Sequence, residues 1–290
     1  MPDSAPPTDF DQLATRLRPR LHRYCARMTG SVLDGEDVVQ ETLMKAALSF
    51  DAETVRQPES WLFRIAHNAA MDLLRRRARD QALFADDVDT DALPAAAEAD
   101  PGTAALALRV FMRLPPAQRG AVILADVLEH ALDECAETLG MSLAAAKAAL
   151  HRGRTRLREL APLVEQAAPQ RLSPEDQQLL ARYAERFNAR DFDGLRALLG
   201  EDVRLDLVGR RRDVGRPIVS AYYGNYAKLP VPVRAEPGVL EGRPVLWIFE
   251  SGQPAGAAPD YVIVLRGTPD CVEGIRDFRY ARYVMDSIAP

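Results

Sequence analysis

Apolar residues recur at helical spacing through most of the first 160 positions of the chain. The first series starts at Leu13 and stops before Gly30, a residue type that commonly ends a helix. Two further series predict helices over residues 34–50 and 58–80, with Asp34 as the N-terminal cap of the earlier one. These patterns predict an all-helical domain over residues 10–80.

A second helical pattern runs over residues 132–160 and is interrupted at Gly140. Glycine can adopt the left-handed conformation that ends a helix, and Ala136 before it is small enough to let two helices cross closely. Apolar or small residues then repeat at helical spacing: Ala146, Leu150, Gly153 and Leu157. Ahead of this helix-turn-helix pattern, residues 104–114 predict one helix, and Pro116 is suited to the first turn of another.

The spacing changes after residue 173. Ser173 is the predicted cap of a helix that starts at Pro174, and two more helices are predicted over 191–199 and 216–226. Residues 203–208 alternate as a half-buried strand does. Four more strand-like runs, punctuated by glycine and proline, cover 232–240, 243–250, 260–266 and 271–285. This order predicts an α+β domain over residues 174–287.

The composition is that of an ordinary globular protein, with 47% of the 290 residues hydrophobic and 27% charged. The net charge of −5 excludes a protein that coats nucleic acid over its whole surface, so any DNA contact must come from local basic patches. There is neither a membrane-length apolar stretch nor a signal-peptide pattern. The cysteines show no metal-ligand spacing and are interpreted as reduced thiols: Cys25, Cys135 and Cys271. We expect a cytoplasmic protein without a metal or cofactor.

Two helical faces are rich in basic residues. On the second helix of the helix-turn-helix, they lie opposite the apolar stripe: Lys147, His151, Arg152, Arg154 and Arg158. On the helix over residues 58–80, polar and basic positions also share one side: Arg64, Asn68, Asp72, Arg75, Arg76 and Arg79. Arginine and asparagine can hydrogen-bond to base edges, and clustered cations attract phosphate. Either face alone also fits a solvated helix, but two on one acidic protein favour a single nucleic-acid partner.

Acidic residues mark two other segments. The helix over residues 34–50 exposes Asp37, Gln40 and Glu41, which fit either a solubilising surface or a docking face for a basic partner. Residues 81–103 contain acidic residues but no lysine or arginine, which is typical of a flexible linker. Such a linker also fits a basic channel of a protein partner.

Four segments follow one another between Asp34 and Leu160: DGEDVVQETLMKA, WLFRIAHNAAMDLLRRR, LPPAQRGAVILADV, and the turn AETLG followed by KAALHRGRTRLREL. Together they resemble the extracytoplasmic-function sigma factors, the promoter-recognition subunits of bacterial RNA polymerase. Each is a weak pattern alone, but the four in this order are specific. The resemblance implies that residues 10–80 are sigma region 2 and residues 104–162 are the helix-turn-helix sigma region 4. It also implies that residues 81–103 thread through the polymerase cleft.

The resemblance further implies roles for the polar faces. Asp37, Gln40 and Glu41 would contact the clamp helices of core RNA polymerase. The residues at the minus-ten promoter element would be Arg64, Asn68, Asp72, Arg75 and Arg76. The residues that read the minus-thirty-five element in the major groove would be Lys147, His151, Arg152 and Arg154. The chain departs from the family pattern at four alanines, which would leave fewer side chains to read bases: Ala145, Ala146, Ala148 and Ala149.

The last region resembles the SnoaL-like branch of the nuclear-transport-factor-two-like proteins, through its order of elements and the segment RYAERFNARDFDGLRALLGEDVRLDL. This implies a cone-shaped α+β domain over residues 174–287, preceded by a linker over 163–173. Such cones often hold a pocket, and the candidates to line one are Asp206, Tyr222 and Trp247, with Tyr223, Asp260 and Asp277 as further candidates. A carboxylate in an apolar pocket would suit acid–base chemistry. An Asp206 paired with an arginine, among core aromatics, would be purely structural.

The sequence therefore predicts a multidomain protein with two all-α domains and an α+β cone-shaped domain. It favours a sigma factor, not an enzyme, that binds core RNA polymerase, directs promoter-specific initiation and is regulated in part by its C-terminal domain. The expected partners are core RNA polymerase and promoter DNA, with an anti-sigma factor or a small ligand as additional candidates and no membrane. The alternatives are a non-sigma helix-turn-helix regulator with a ligand-binding domain, and an enzyme whose turnover depends on Asp206.

Overall fold

The computed structural model describes residues 9–51, 55–84, 111–160, 172–229, 233–250 and 257–288. The chain divides into two compact units, each with its own hydrophobic core. The helical unit contains both predicted sigma regions, and the α+β unit contains the predicted SnoaL-like domain. Most of both predicted linkers lies outside the described residues. Among the described residues, no helix combines the length and the hydropathy of a membrane span.

The first half of the helical unit consists of α1 (Asp9–Thr29), α2 (Val32–Ser49) and α3 (Pro58–Phe84). Gly30 follows α1 with a φ of 75°, as the sequence predicted. The predicted cap of α2 is wrong, because the side-chain oxygen of Ser31 accepts the backbone N–H of Asp34 at 3.0 Å. Asp34 instead lies in the first turn, where the helix dipole favours a carboxylate. It is mostly buried and pairs with Arg77 of α3 at 2.6 Å.

The second half contains α4 (Pro116–Val122), a π-helical turn (Ile123–Val127), α5 (Leu132–Leu139) and α6 (Leu143–Leu160). The helix predicted over residues 104–114 lies outside the described residues except at its end. Pro115 precedes α4 and Pro116 opens it, as predicted. Gly140 has a φ of 63° and separates α5 from α6, which confirms the predicted helix-turn-helix.

The two halves of the helical unit share one hydrophobic core. Leu21 of α1, Phe63 of α3 and Ile123 of the π-helical turn are all fully buried in the same cluster. The guanidinium of Arg119 in α4 donates to four backbone carbonyls, one of which lies in the first half: those of Met28, Phe111, Met112 and Leu114. Burial lowers the pKa of Arg119 to about 10, so the group stays charged at neutral pH. Arg119 therefore links the two halves through main-chain acceptors.

The α+β unit starts with α7 (Pro174–Asn188), whose cap is Ser173 as predicted, and α8 (Phe192–Ala197). The remaining elements are β1 (Leu199–Leu207), β2 (Arg211–Val214), α9 (Arg216–Ser220), α10 (Tyr222–Ala227), β3 (Arg234–Leu240), β4 (Arg243–Phe249), β5 (Tyr261–Thr268), β6 (Cys271–Asp277) and a 3-10 helix (Arg282–Ser287). The strands form one sheet in the order β2-β1-β6-β5-β4-β3, with β1 and β6 parallel and the other neighbours antiparallel. This confirms the predicted α+β architecture.

The two faces of this sheet have different roles. Leu205 and Leu207 of β1 belong to the buried core together with residues of α7 and α10. Because side chains alternate along a strand, Arg204 and Asp206 lie on the opposite face. We call this opposite side the outer face; its residues in β1, β6 and β5 are Arg204, Asp206, Gly274, Arg276, Val264 and Arg266. It extends to Arg212 of β2.

Candidate nucleic-acid interface

The predicted minus-ten residues share an exposed side of α3. All five are exposed: Arg64, Asn68, Asp72, Arg75 and Arg76. The residues on the other side of α3 are fully buried: Leu62, Phe63, Ala66, Ala69 and Ala70. The helix is therefore amphipathic in the way that the spacing predicted, and its polar side is accessible to a partner.

Ion pairs connect this polar side of α3 to α2. Arg76 lies 3.6 Å from a carboxylate oxygen of Glu41, and Arg77 lies 2.6 Å from one of Asp34. Arg75 pairs with Asp72 on α3 itself at 2.8 Å. A surface cavity of about 720 Å³ lies here, and its lining combines residues from both helices: Glu41, Asp72, Arg75, Arg76, Ala78 and Arg79. The predicted polymerase face and the predicted minus-ten face therefore adjoin.

His67 is a residue of α3 that the sequence analysis did not identify. Its Nδ1 lies 2.8 Å from the hydroxyl of Tyr24, so it holds α3 against α1. Burial, reinforced by the nearby Arg75, lowers the pKa of His67 to about 4. The ring is therefore neutral at physiological pH. No spacing signal marks it, because its role depends on a contact 43 positions away in the chain.

The predicted polymerase-contact residues lie along α2. Asp37 is exposed, and Gln40 and Glu41 are half-buried. Met44 and Leu48 continue the same side of the helix at intervals of three to four residues, and their exposed fractions are 66% and 90%. Large apolar side chains exposed beside polar ones are typical of a protein-binding surface rather than a solubilising one.

The predicted minus-thirty-five residues are all exposed on α6, but they are not equivalent. Lys147 and Arg152 form no ion pair within the described part of the chain. Arg154 instead makes a two-pronged contact with Asp126 of the π-helical turn, with Nε 3.0 Å from one carboxylate oxygen. This contact raises the pKa of Arg154. His151, which lies between Lys147 and Arg152 in the sequence, is exposed as well.

The four alanines of α6 divide between two environments. Ala146 and Ala149 are buried, whereas Ala145 is exposed and Ala148 half-buried. Ala146 lies in the buried stripe that the spacing predicted, and Ala149 is buried as well, so only Ala145 and Ala148 lie where a longer side chain could reach DNA. Gly153 packs closely against α4, since a Cβ at this position would lie only 2.6 Å from a methyl of Val122. Small residues let α6 pack tightly on α4.

The predicted pocket of the α+β unit requires a correction. Asp206 lies on the outer face, where its carboxylate oxygens are 3.5 Å from Arg212 and 3.4 Å from Arg276. Trp247 alternates with core residues of β4 and so lies on the outer side as well. Tyr222 is buried in the core. Strand parity therefore separates Tyr222 from the other two, and the three do not line one cavity.

The partner of Tyr222 is Asp277. The hydroxyls of Tyr222 and Tyr226 both donate to the same oxygen of Asp277 at 2.8 Å, and the backbone N–H of Arg279 donates to its other oxygen. Tyr261 lies 3.1 Å from Tyr226 and extends the network. Burial raises the pKa of Asp277, and the hydrogen bonds oppose that shift. With Asp277 only 1% exposed, this cluster is closed to solvent.

Residues 13–80 match the family Sigma-70 region 2, and residues 105–157 match the family Sigma-70, region 4. The ECF RNA polymerase sigma factor SigG of Mycobacterium tuberculosis is 30% identical over 277 residues, which cover 86% of this chain and 73% of SigG. The ECF RNA polymerase sigma factor SigE of Mycolicibacterium smegmatis is 32% identical over 162 residues, which cover 54% of this chain and 63% of SigE.

Solved structures show similarity as well. The sigma factor RpoE of Bartonella quintana, in complex with the anti-sigma factor NepR, is 27% identical, with a TM-score of 0.43 over 53% of this chain and 98% of RpoE. SigJ of Mycobacterium tuberculosis is 21% identical, with a TM-score of 0.37 over 93% of this chain and 95% of SigJ. On the sequence matches, which include both helical regions and extend beyond them, the chain belongs to the extracytoplasmic-function RNA polymerase sigma factors, which direct transcription initiation.

Proposed function

We propose that this sigma factor binds core RNA polymerase through α2 and promoter DNA through α3 and α6, using the residues predicted from the sequence. The observation that carries the proposal is that the polar sides of α2, α3 and α6 are exposed or half-buried at the surface, while the helices behind them share one core. Asp37, Gln40 and Glu41 supply the polar part of the polymerase contact. Met44 and Leu48 extend it with apolar area, which is the part that excludes water in a protein interface.

Promoter binding requires the two halves of the helical unit to separate. Elements centred at minus ten and minus thirty-five are roughly 25 base pairs apart, or about 85 Å along B-DNA. A compact unit of this size is only about 40 Å across. The α3 and α6 faces therefore cannot reach both elements while the halves share a core. We infer that the packed arrangement is the unbound form and that polymerase holds the halves apart.

The double variant Asp37→Ala with Glu41→Ala tests the polymerase contact. We expect weaker binding to core polymerase, because the variant removes two carboxylates that would pair with basic residues of the partner. Fluorescence anisotropy of the labelled full-length chain measures this affinity. Glu185→Gln, an exposed acidic position on α7, serves as the control for general charge effects. Unchanged affinity of the double variant would remove α2 from the interface.

We also propose that the α+β domain regulates the sigma factor and does so without catalysis. Its separate core and the extension of the SigG match beyond residue 157 support a retained role for this domain. The carboxylate of Asp277 has tyrosine partners, but it is too enclosed to meet a substrate. A chain that ends at Pro169 should change transcription from the cognate promoter. Unchanged transcription and unchanged polymerase affinity would contradict regulation.

A further inference from the structure

A groove on the outer face of the α+β sheet is lined by arginines from four neighbouring strands. Its volume is about 470 Å³. The charged residues of its lining on the outer face are Arg204, Arg212, Arg266 and Arg276 against Asp206. Glu273 lies 3.9 Å from Arg266 and offsets one more positive charge, so this concave part of the surface carries an excess of two positive charges.

The strand register explains why this surface is concave. Arg204 of β1 pairs with Gly274 of β6, which in turn pairs with Arg266 of β5. Neighbouring strands are about 4.8 Å apart, so the two arginines flank the glycine with their Cα atoms roughly 10 Å from each other. Gly274 has no side chain to fill the space between them. The guanidinium of Arg266 leans into this space, 3.6 Å from the position that a Cβ of Gly274 would take.

The next cross-strand row fixes two more guanidinium groups. Asp206 pairs with Arg212 on one side and Arg276 on the other, with one carboxylate oxygen near each. Arg276 is further held over the ring of Phe278, at 5.0 Å from its centroid, and its side chain is only 16% exposed. Asp213 faces the other side of the sheet, because it pairs with Leu205 across β1 and β2, and there it lies 2.9 Å from Arg211. Asp206 therefore positions two arginines, and the groove stays positive.

We propose that this groove binds a small organic dianion, either a phosphate ester or a dicarboxylate. The planar fork of arginine matches both oxyanions with paired hydrogen bonds, and two excess positive charges match two negative ones. Val214 and Val264 line the groove and supply apolar contact for the rest of the ligand. A second copy of this face is a poor occupant, since like charges would oppose each other. The site does not depend on the regulatory role proposed above, because binding is measured without transcription.

Titration calorimetry of the full-length chain with inorganic phosphate and with succinate tests the proposal, with acetate at matched ionic strength as the monoanion. We expect both dianions to bind more tightly than acetate. Arg204→Ser and Arg266→Ser should each weaken binding roughly tenfold or more, because a hydrogen-bonded charge is lost. Both side chains are exposed, so the fold should survive, and equal melting temperatures check this. Lys228→Ser removes an exposed cation of the same unit outside the groove and should bind as the unaltered chain does.

If phosphate binds more tightly than succinate, the ligand of the groove is a phosphate ester. If succinate binds more tightly, the ligand is a dicarboxylate. The proposal would be overturned if neither dianion binds, if acetate binds equally well, or if Lys228→Ser weakens binding as much as the arginine variants do. The proposal would also be overturned if the chain self-associates, Arg204→Ser abolishes this self-association, and no dianion binds. The groove would then be an interface with a second copy of the chain.

Discussion

The two basic helices α3 and α6 carry similar side chains in different electrostatic surroundings. On α3, Arg75, Arg76 and Arg77 each lie within 3.6 Å of a carboxylate. On α6, Lys147 and Arg152 form no ion pair with any described residue. Nearby carboxylates offset positive charge, so equal numbers of arginines do not give equal attraction to phosphate. We therefore expect α6 to supply most of the charge-driven affinity for promoter DNA, and α3 to contribute mainly through the position of its side chains.

The helices also differ in how they are held. A side-chain hydrogen bond between His67 and Tyr24 joins α3 to α1, and ion pairs join it to α2. Close packing at Gly153 holds α6, since even one methyl group there would overlap Val122. The position of α3 should therefore respond to pH, whereas that of α6 should not.

The largest effect is expected from the double variant Lys147→Ala with Arg152→Ala. Each phosphate contact adds about one unit to the slope of log affinity against log salt, so the slope should fall by about two. Promoter binding by the reconstituted holoenzyme at several salt concentrations measures this slope. The matched double variant Arg75→Ala with Arg76→Ala removes the same charge from α3 and should reduce the slope less. If the two double variants reduce the slope equally, α6 does not contribute more than α3 to the charge-driven affinity for DNA.

A smaller effect is expected from acid. The pKa of His67 is about 4 in the folded chain and about 6.5 in an unfolded one, so the unfolded state binds the proton more tightly. The stability due to a neutral His67 is complete above pH 6.5 and is lost as the pH falls toward 4. Since the residue is partly exposed, we expect a loss of about 2 kcal/mol, below the full linkage value. Urea unfolding of the full-length chain from pH 7 to pH 4 measures it.

His67→Gln should show a shallower loss of stability over this pH range than the unaltered chain. His151→Gln provides the matched control on α6, where the histidine is exposed, and should retain the full loss. If the two variants respond alike, His67 is not the group that titrates, and α3 is not held in the way described.

The smallest effect is expected from Asp126→Asn, which releases Arg154. If Arg154 then turns to a phosphate, promoter affinity and its salt slope should both rise slightly. The same measurement on Arg154→Ala should show a smaller loss than Arg152→Ala alone, since Arg154 is already engaged by Asp126. Weaker promoter binding by Asp126→Asn would show instead that the ion pair braces α6 for binding.

The spacing of apolar residues was enough to predict most of the helical unit. Gly140, Pro116 and the buried stripes of α3 and α6 lie where the sequence placed them, because local conformation and burial follow directly from residue type. The cap of α2 was wrong because Ser31 and Asp34 are both good caps, and the choice depends on how α1 ends.

Features that depend on tertiary contacts could not be predicted. Nothing in the sequence shows that Glu41 meets Arg76, or that His67 meets Tyr24, because each pair joins distant segments. The sequence left Asp206 open between a pocket and a pair with an arginine, because the alternation over residues 203–208 does not show which face of the strand meets the core. The pairs with Arg212 and Arg276 bear out the second alternative. Likewise, the burial of Ala149 could be judged only once the side of α6 that packs on α4 was known.

The buried guanidinium of Arg119 has a consequence for how the helical unit opens. Three of its acceptors, the carbonyls of Phe111, Met112 and Leu114, belong to its own half, and only that of Met28 belongs to the other. Opening therefore breaks one of four hydrogen bonds and leaves the cation solvated by its own chain. Arg119 therefore adds little resistance to separation, and we expect its part of the interface to re-form readily between successive rounds of initiation.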